Sequence, residues 1–217
     1  MAAQVTLLLL LCVPLVLVLT ALYVTYRMRK RKLFKADPGS LTLLTVLGSG
    51  GHTTEALRLV SALPLDKFQR RHYVYAKTDR FSAQKAIDLE REWQNRGMFD
   101  VHTIYRSREV YQSYVSSVVT TIRAIVESIP LMWRIRPDVI LVTGPGTCLP
   151  ICVAGKFLQI IGLNDVLVVF VESICRVETF SLCCKLLYYT SIADYIVVQW
   201  PSLQKKYPKT VYLGRIT

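Results

Sequence analysis

One histidine closes a run of glycines. The stretch GSGGH at residues 48–52 follows the apolar run LTLLTVL and precedes a segment with helical periodicity. Glycine lets main-chain amides approach an anion closely, and the first turn of a following helix presents unpaired N–H groups at a positive dipole end. Gly48, Ser49, Gly50, Gly51 and the hydroxyl of Thr53 therefore suit a diphosphate. His52 suits a general base beside it, or an ordinary surface imidazole. The dinucleotide fingerprint GxGxxG is not met, since Thr53 stands where the third glycine belongs, and the form GxxxxGK[ST] is absent. A second stretch, TGPGTCLP at residues 143–150, repeats the plan with Gly144, Gly146 and Thr147, the last placed to cap a helix. Two such loops at one sheet edge would hold one anion from two sides. Glu172 follows the apolar run VLVVFV and suits a base or a sugar-hydroxyl contact; alternatively it pairs with Arg176 or starts the next helix. Arg106 and Arg108 in RSRE offer guanidiniums to phosphate, or form a solvated charge run. Asp79 stands where dinucleotide enzymes keep a ribose-binding acid, a use that the failed third glycine argues against.

These residues need a frame that brings strand ends together. Short apolar runs at 41–47, 71–79, 101–106, 138–143, 165–172, 195–200 and 211–214 read as strands. Between them, helical spacing covers 53–63, 81–93, 113–136, 148–161, 176–191 and 201–207, with a break expected near Pro130 and with Pro201 in a first turn. In 53–63 the inward positions are Ala56, Leu57, Val60 and Leu63; in 81–93 they are Phe81, Ala86 or Ile87, and Trp93. Strands alternating with helices predict right-handed βαβ units and a parallel sheet covered on both faces. Ligands of such folds bind beyond the carboxyl ends of the strands.

The chain has 217 residues, enough for one full domain. Residues 5–26 are apolar and uncharged. As a helix they would cover about 33 Å, against a bilayer core of about 30 Å. No Lys or Arg precedes the run, and RMRKRKLFK at 27–35 follows it, the reverse of a cleaved signal peptide. The expectation is a single-pass anchor over residues 1–35, its basic flank cytosolic, a linker ADPGS at 36–40, and a Rossmann-like domain over 41–217. That flank carries six cations and no acids, half of the net charge of +12. The rest suits an anionic ligand or a membrane surface. No nucleic-acid motif is present, so nucleic acid is not an expected partner. The six cysteines lack CxxC spacing and partner histidines, so no metal site is expected from them, and buried reduced thiols are.

Five stretches together carry a resemblance: GSGGHTTE (48–55), YRSREV (105–110), RPDVILVTGPGTCLPICV (136–153), VESICRVET (171–179) and YIVVQWPSLQKKYPKTVYLGRI (195–216). The chain resembles the membrane-anchored subunits of the two-chain transferases that add the second sugar of dolichol-linked oligosaccharides. Those subunits are similar to the N-terminal, acceptor-binding half of the bacterial lipid-linked N-acetylglucosaminyltransferase of peptidoglycan synthesis. The resemblance implies half of an inverting GT-B glycosyltransferase at the endoplasmic reticulum membrane, its globular domain facing the cytosol. The glycine loops would hold the diphosphate of GlcNAc-diphosphodolichol, with His52 and Glu172 the candidates for the base that activates its 4-hydroxyl. The bacterial enzymes carry a histidine before that glutamate, where Val171 stands here. The UDP-GlcNAc donor would be bound mainly by a separate soluble subunit docked on Tyr212, Leu213, Gly214, Arg215 and Ile216, so the chain would not act alone. No cofactor of its own is implied.

Two other readings stay open on the residues. The chain could be a non-catalytic recruitment scaffold, its partner doing all the chemistry. A membrane-tethered, nucleotide-dependent oxidoreductase is the third, disfavoured by the missing glycine.

Overall fold

The computed structural model describes residues 18, 19, 23, 40–94, 97–107, 112–144 and 146–217. The expected anchor, its basic flank and nearly all of the linker lie outside them, as do Arg108 and Pro145; Val18, Leu19 and Tyr23 are helical and exposed. Among the described residues no helix is long and apolar enough to cross a membrane.

Seven strands form one sheet: β1 (Thr42–Leu47), β2 (Arg70–Ala76), β3 (Met98–Ile104), β4 (Val139–Thr143), β5 (Leu167–Val171), β6 (Tyr195–Val198) and β7 (Val211–Tyr212). Among the described residues six helices connect them: α1 (Gly51–Ser61), α2 (Arg80–Glu92), α3 (Tyr114–Ile135), α4 (Cys148–Ile160), α5 (Leu182–Tyr189) and α6 (Pro201–Lys206). All pairings are parallel, in the order β3-β2-β1-β4-β5-β6-β7. The order reverses between β1 and β4, and at that switch point the two glycine loops leave the sheet side by side.

The period-2 alternation of strands distributes the core over two faces. Leu44, Val46, Val74, Ile140, Val142, Val168 and Phe170 pack with Met132 of α3, Ile151 and Leu158 of α4, Leu187 of α5 and Leu203 of α6. Leu43, Leu47, Tyr73, Leu141, Val171 and Val197 pack with Ala56, Leu57 and Val60 of α1 and Ala86 of α2. Two buried ion pairs are pinned into this frame. Arg71 and Glu90 form a two-pronged pair at 2.6 Å, and the Tyr73 hydroxyl donates to the same carboxylate at 2.6 Å. That carboxylate holds the guanidinium above its already high pKa, against the opposing effect of burial. Lys156 of α4 pairs with Asp194, which also accepts from the Val168 amide of β5.

Four expectations need correction. Helix α3 runs through Pro130 without a break. Proline removes one backbone bond, but the helix keeps Ala124, Ser128 and Met132 buried on one side, and that packing holds the flanking turns together. The helix expected from residue 176 begins at Leu182, because Ser181 caps it through the Cys184 amide and residues 172–181 form a loop. Phe81 is 87% exposed; the inward positions of α2 are Ser82, Ala83, Ala86 and Glu90. Strand β3 starts three residues early, at Met98, because its pairing with Arg70 of β2 extends that far.

Candidate functional site

At the carboxyl ends of the strands lies a cavity of about 650 Å³. Its floor is the switch point. Ser49 and His52 come from the first glycine loop and α1; Gly144, Gly146 and Thr147 come from the second; Asp79, Arg106 and Arg176 come from the loops on either side. Val118 and Ile122 of α3 and Leu182 and Leu186 of α5 also line it, beside Ser117, Thr121 and Ser181. The four aliphatic side chains are 41–58% exposed, although each is a large hydrophobe.

The helices that follow the glycine loops differ from most of the others. Side chains cap α2 (Asp79), α3 (Ser113) and α5 (Ser181), whereas no side chain caps α1 or α4. Thr147 stands at the N-cap of α4 but makes no capping bond, contrary to expectation. The first-turn N–H groups of α1 and α4 thus lack a side-chain acceptor, and an anion between them would supply one. The glycines divide into two kinds. Gly50 has φ +65° and ψ −125°, a conformation closed to L side chains, while nothing lies within 4 Å of the Cβ it lacks. A Cβ at Gly144 would stand 2.5 Å from Cε1 of His52, so the imidazole rests on bare backbone. Gly51 and Gly146 have room for a Cβ, and of the two only Gly146 lines the cavity.

His52 is the best-oriented polar group in the cavity. Its Nδ1 lies 3.1 Å from Oε2 of Glu55, one helical turn on. A carboxylate can only accept, so Nδ1 carries the hydrogen, and in the neutral ring the lone pair falls on Nε2. Glu55 is held in turn: its Oε1 accepts from the Ser173 hydroxyl at 2.8 Å. The Thr143 hydroxyl donates to the His52 carbonyl at 3.3 Å, tying the second glycine loop to the first helix. The arrangement is an imidazole oriented by a carboxylate, itself fastened to a third loop.

Other expected residues have different tasks. Thr53 is 1% exposed, and its hydroxyl donates to the Gly48 carbonyl beneath the loop, away from any ligand. Glu172 is fully buried and does not line the cavity. Its two carboxylate oxygens accept from the amides of Ser173 (3.0 Å) and Ser181 (2.8 Å), so it closes the 172–181 loop at both ends and leaves Arg176 exposed. Neighbouring Cys183 is pushed up to about 12, by burial first and by the Glu172 charge second. Asp79 caps α2 through the Ser82 amide. Arg106 reaches the Thr78 hydroxyl at 3.4 Å and lines the cavity. At the C-terminus, Tyr212 and Leu213 are exposed, Gly214 has φ +81°, Arg215 stacks on Trp200 and Ile216 is half-buried with its amide on Gln199.

The sequence assigns no site role to Glu55 or the four aliphatic side chains, and offers Arg176 only as a partner for Glu172. The i, i+3 spacing from His52 signals the first. The others come from elements remote in the chain and carry no local signal.

The family model for oligosaccharide biosynthesis proteins of the Alg14-like kind matches residues 43–216. The human protein named UDP-N-acetylglucosamine transferase subunit ALG14 is 50% identical over 183 residues, spanning 82% of this chain and 83% of its own. The rat and Candida albicans proteins of the same name are 53% and 38% identical. Among solved structures, Acinetobacter baumannii MurG superposes with a TM-score of 0.54 at 16% identity, over 75% of this chain and 42% of that one. The UDP-N-acetylglucosamine 2-epimerase of Rickettsia bellii gives 0.52 at 14% identity, over 82% and 46%. The chain thus spans less than half of either structure, and at such identity the likeness is one of fold. With a family match over nearly all of the described domain and 50% identity to a relative over 183 residues, the chain belongs to the Alg14-like oligosaccharide biosynthesis family.

Proposed function

We propose that this chain is the acceptor-binding subunit of a two-chain UDP-N-acetylglucosamine transferase, anchored in the endoplasmic reticulum membrane with its globular domain in the cytosol. It would present GlcNAc-diphosphodolichol for addition of a second GlcNAc in β-1,4 linkage. The observation that carries this reading is the mixed lining of the cavity. Uncapped helix starts, glycine loops and two guanidiniums line it together with four exposed aliphatic side chains. A diphosphate joined to a long hydrocarbon has that same mixture. The names of the relatives, each a UDP-N-acetylglucosamine transferase subunit, support a chain that works with a partner subunit.

In this reading Nε2 of His52 accepts the proton of the acceptor 4-hydroxyl. The O4–C1 bond to the donor sugar forms as the C1–O bond to UDP breaks, with inversion, and UDP leaves on the partner's side. Gly48, Ser49, Gly50 and Gly51 hold the diphosphate from one loop, Gly144 and Gly146 from the other, and Arg106 and Arg176 neutralise it. Tyr212 and Leu213, exposed at the short edge strand β7, are available to the partner.

Binding to the full chain in detergent tests this reading, with farnesyl diphosphate as probe and inorganic diphosphate and UDP-GlcNAc as competitors. Farnesyl diphosphate is expected to bind at least ~10-fold more tightly than inorganic diphosphate, one apolar anchor being worth about 1.5–3 kcal/mol. The double variant Arg106→Ala/Arg176→Ala is expected to lose most of that binding. Preference for UDP-GlcNAc by the chain alone would refute the assignment.

Gly144→Ala supplies a separate check. The added methyl cannot coexist with the present imidazole position. Transfer by the assembled enzyme should fall about 10²-fold, the usual cost of misplacing a reacting group by about 1 Å. Combined with His52→Ala, the same substitution should add little.

A further inference from the structure

Away from the cavity, three side chains that no part of the proposed reaction uses meet on the outer strands of the sheet. His72 of β2 is in register with Asp100 of β3, and His102 follows two residues after Asp100. Strand alternation puts 100 and 102 on one face, and parallel register puts 72 on that face beside them. Nδ1 of His72 lies 3.0 Å from Nε2 of His102 and 3.6 Å from Oδ2 of Asp100. The three ligand atoms all fall within 4.8 Å of one another. For a zinc–nitrogen distance of about 2.0–2.1 Å, the edge of a coordination tetrahedron is about 3.3 Å. Two of the three separations bracket that value.

We propose that His72, Asp100 and His102 form a binding site for a borderline divalent transition ion such as Zn²⁺, which clamps the edge strand β3 to β2. Two imidazoles and one carboxylate are a donor set that such ions accept, with water completing the shell. The imidazoles are half-buried and rigid on strands, whereas the carboxylate is two-thirds exposed and gives the ion its way in. Burial holds both histidines below their usual range. His102 and, less strongly, Arg70 push His72 the same way and Arg134 does so for His102, while Asp100 opposes. With the site empty, one proton bridges the facing nitrogens. On binding it moves to the outer nitrogen of its own ring, and both facing lone pairs reach the ion. Strand β3 is the end of the sheet and bonds to a single neighbour, so a cross-strand clamp acts where the sheet has least support.

The test uses the full chain in detergent, stripped with a chelator and then titrated with Zn²⁺. One equivalent should bind, and the thermal midpoint should rise by about 5 °C or more at 100 times the dissociation constant. With Co²⁺ as probe, absorption should show nitrogen and oxygen ligation without a thiolate charge-transfer band, which separates this site from the exposed Cys175. His102→Gln and Asp100→Asn should each weaken binding at least ~10-fold, the least that even a supporting partner of a metal ligand contributes. If His102→Gln fails to fold, Asp100→Asn decides alone, since that side chain is exposed. Unchanged affinity in a folded variant, a thiolate band, or an unmoved wild-type midpoint in about 0.1 mM Zn²⁺ would each overturn the proposal and leave a hydrogen-bonded histidine pair.

Discussion

His52→Ala is expected to lower the turnover of the assembled transferase by about 10²–10⁴-fold, the range over which a positioned general base contributes. The reason lies in one geometric chain. In the neutral ring the lone pair falls on Nε2 because Nδ1 faces Glu55 at 3.1 Å, and Glu55 is fixed by Ser173 at 2.8 Å. The ring also rests on Gly144, where no Cβ intervenes. The assay is transfer from UDP-GlcNAc to a diphosphate-linked lipid acceptor, with membrane recruitment of the soluble companion measured on the same preparations. Recruitment should be unchanged, since His52 and the exposed Tyr212 and Leu213 lie on different elements. Glu55→Gln should lower turnover in the same direction, because an amide both donates and accepts and no longer fixes the tautomer. Full turnover of the His52→Ala complex would make this chain a recruitment scaffold and move the base to its partner.

The second large effect concerns stability. Glu90→Ala should destabilise the domain by about 3–5 kcal/mol, because it strands the Arg71 guanidinium inside the protein. Arg71 and Glu90 are at most 1% exposed, so water cannot take the place of the missing carboxylate. Tyr73 loses its acceptor in the same step. At 2–4 °C per kcal/mol for a domain of this size, the thermal midpoint falls by about 10 °C. Replacing the group as a unit, Arg71→Met with Glu90→Leu and Tyr73→Phe, should cost less than Glu90→Ala alone, because no buried charge or hydroxyl is then left unpaired. Thermal unfolding followed by circular dichroism checks both. A Glu90→Ala midpoint within about 2 °C of wild type would mean that water reaches the pair.

The strands were legible because each is a short apolar run bounded by Gly, Pro, Asp or charge, as in residues 41–47 and 166–171. Both glycine loops, and His52 with them, were legible because glycine clusters after an apolar run have few other uses. The errors have local causes too. Glu172 stands at a strand end, where an acid suggests chemistry. Its surroundings instead supply two backbone amides, and a buried carboxylate satisfied in that way is a brace. Phe81 follows helical spacing, yet in the first turn it is its neighbours Ser82 and Ala83 that face inward, leaving Phe81 exposed. Thr53 was expected to face a ligand, but the first turn of α1 points it down onto Gly48 and Ser82.

By itself the sequence determined the class of fold, since alternating apolar strands and amphipathic helices can bury their surfaces only as a parallel sheet covered on both sides. It also determined where the glycines and the imidazole fall along the chain. Which strands are neighbours is decided by tertiary structure alone, because all seven apolar runs offer equivalent edges to one another. Only the order β3-β2-β1-β4-β5-β6-β7 sets the loops after β1 and β4 side by side, although Gly48 and Gly144 are far apart in the chain. The same folding brings Arg176 and the aliphatic side chains of α3 and α5 around them. A binding site assembled from such distant segments has no local signature, since its energy comes from contacts that exist only after the sheet has formed.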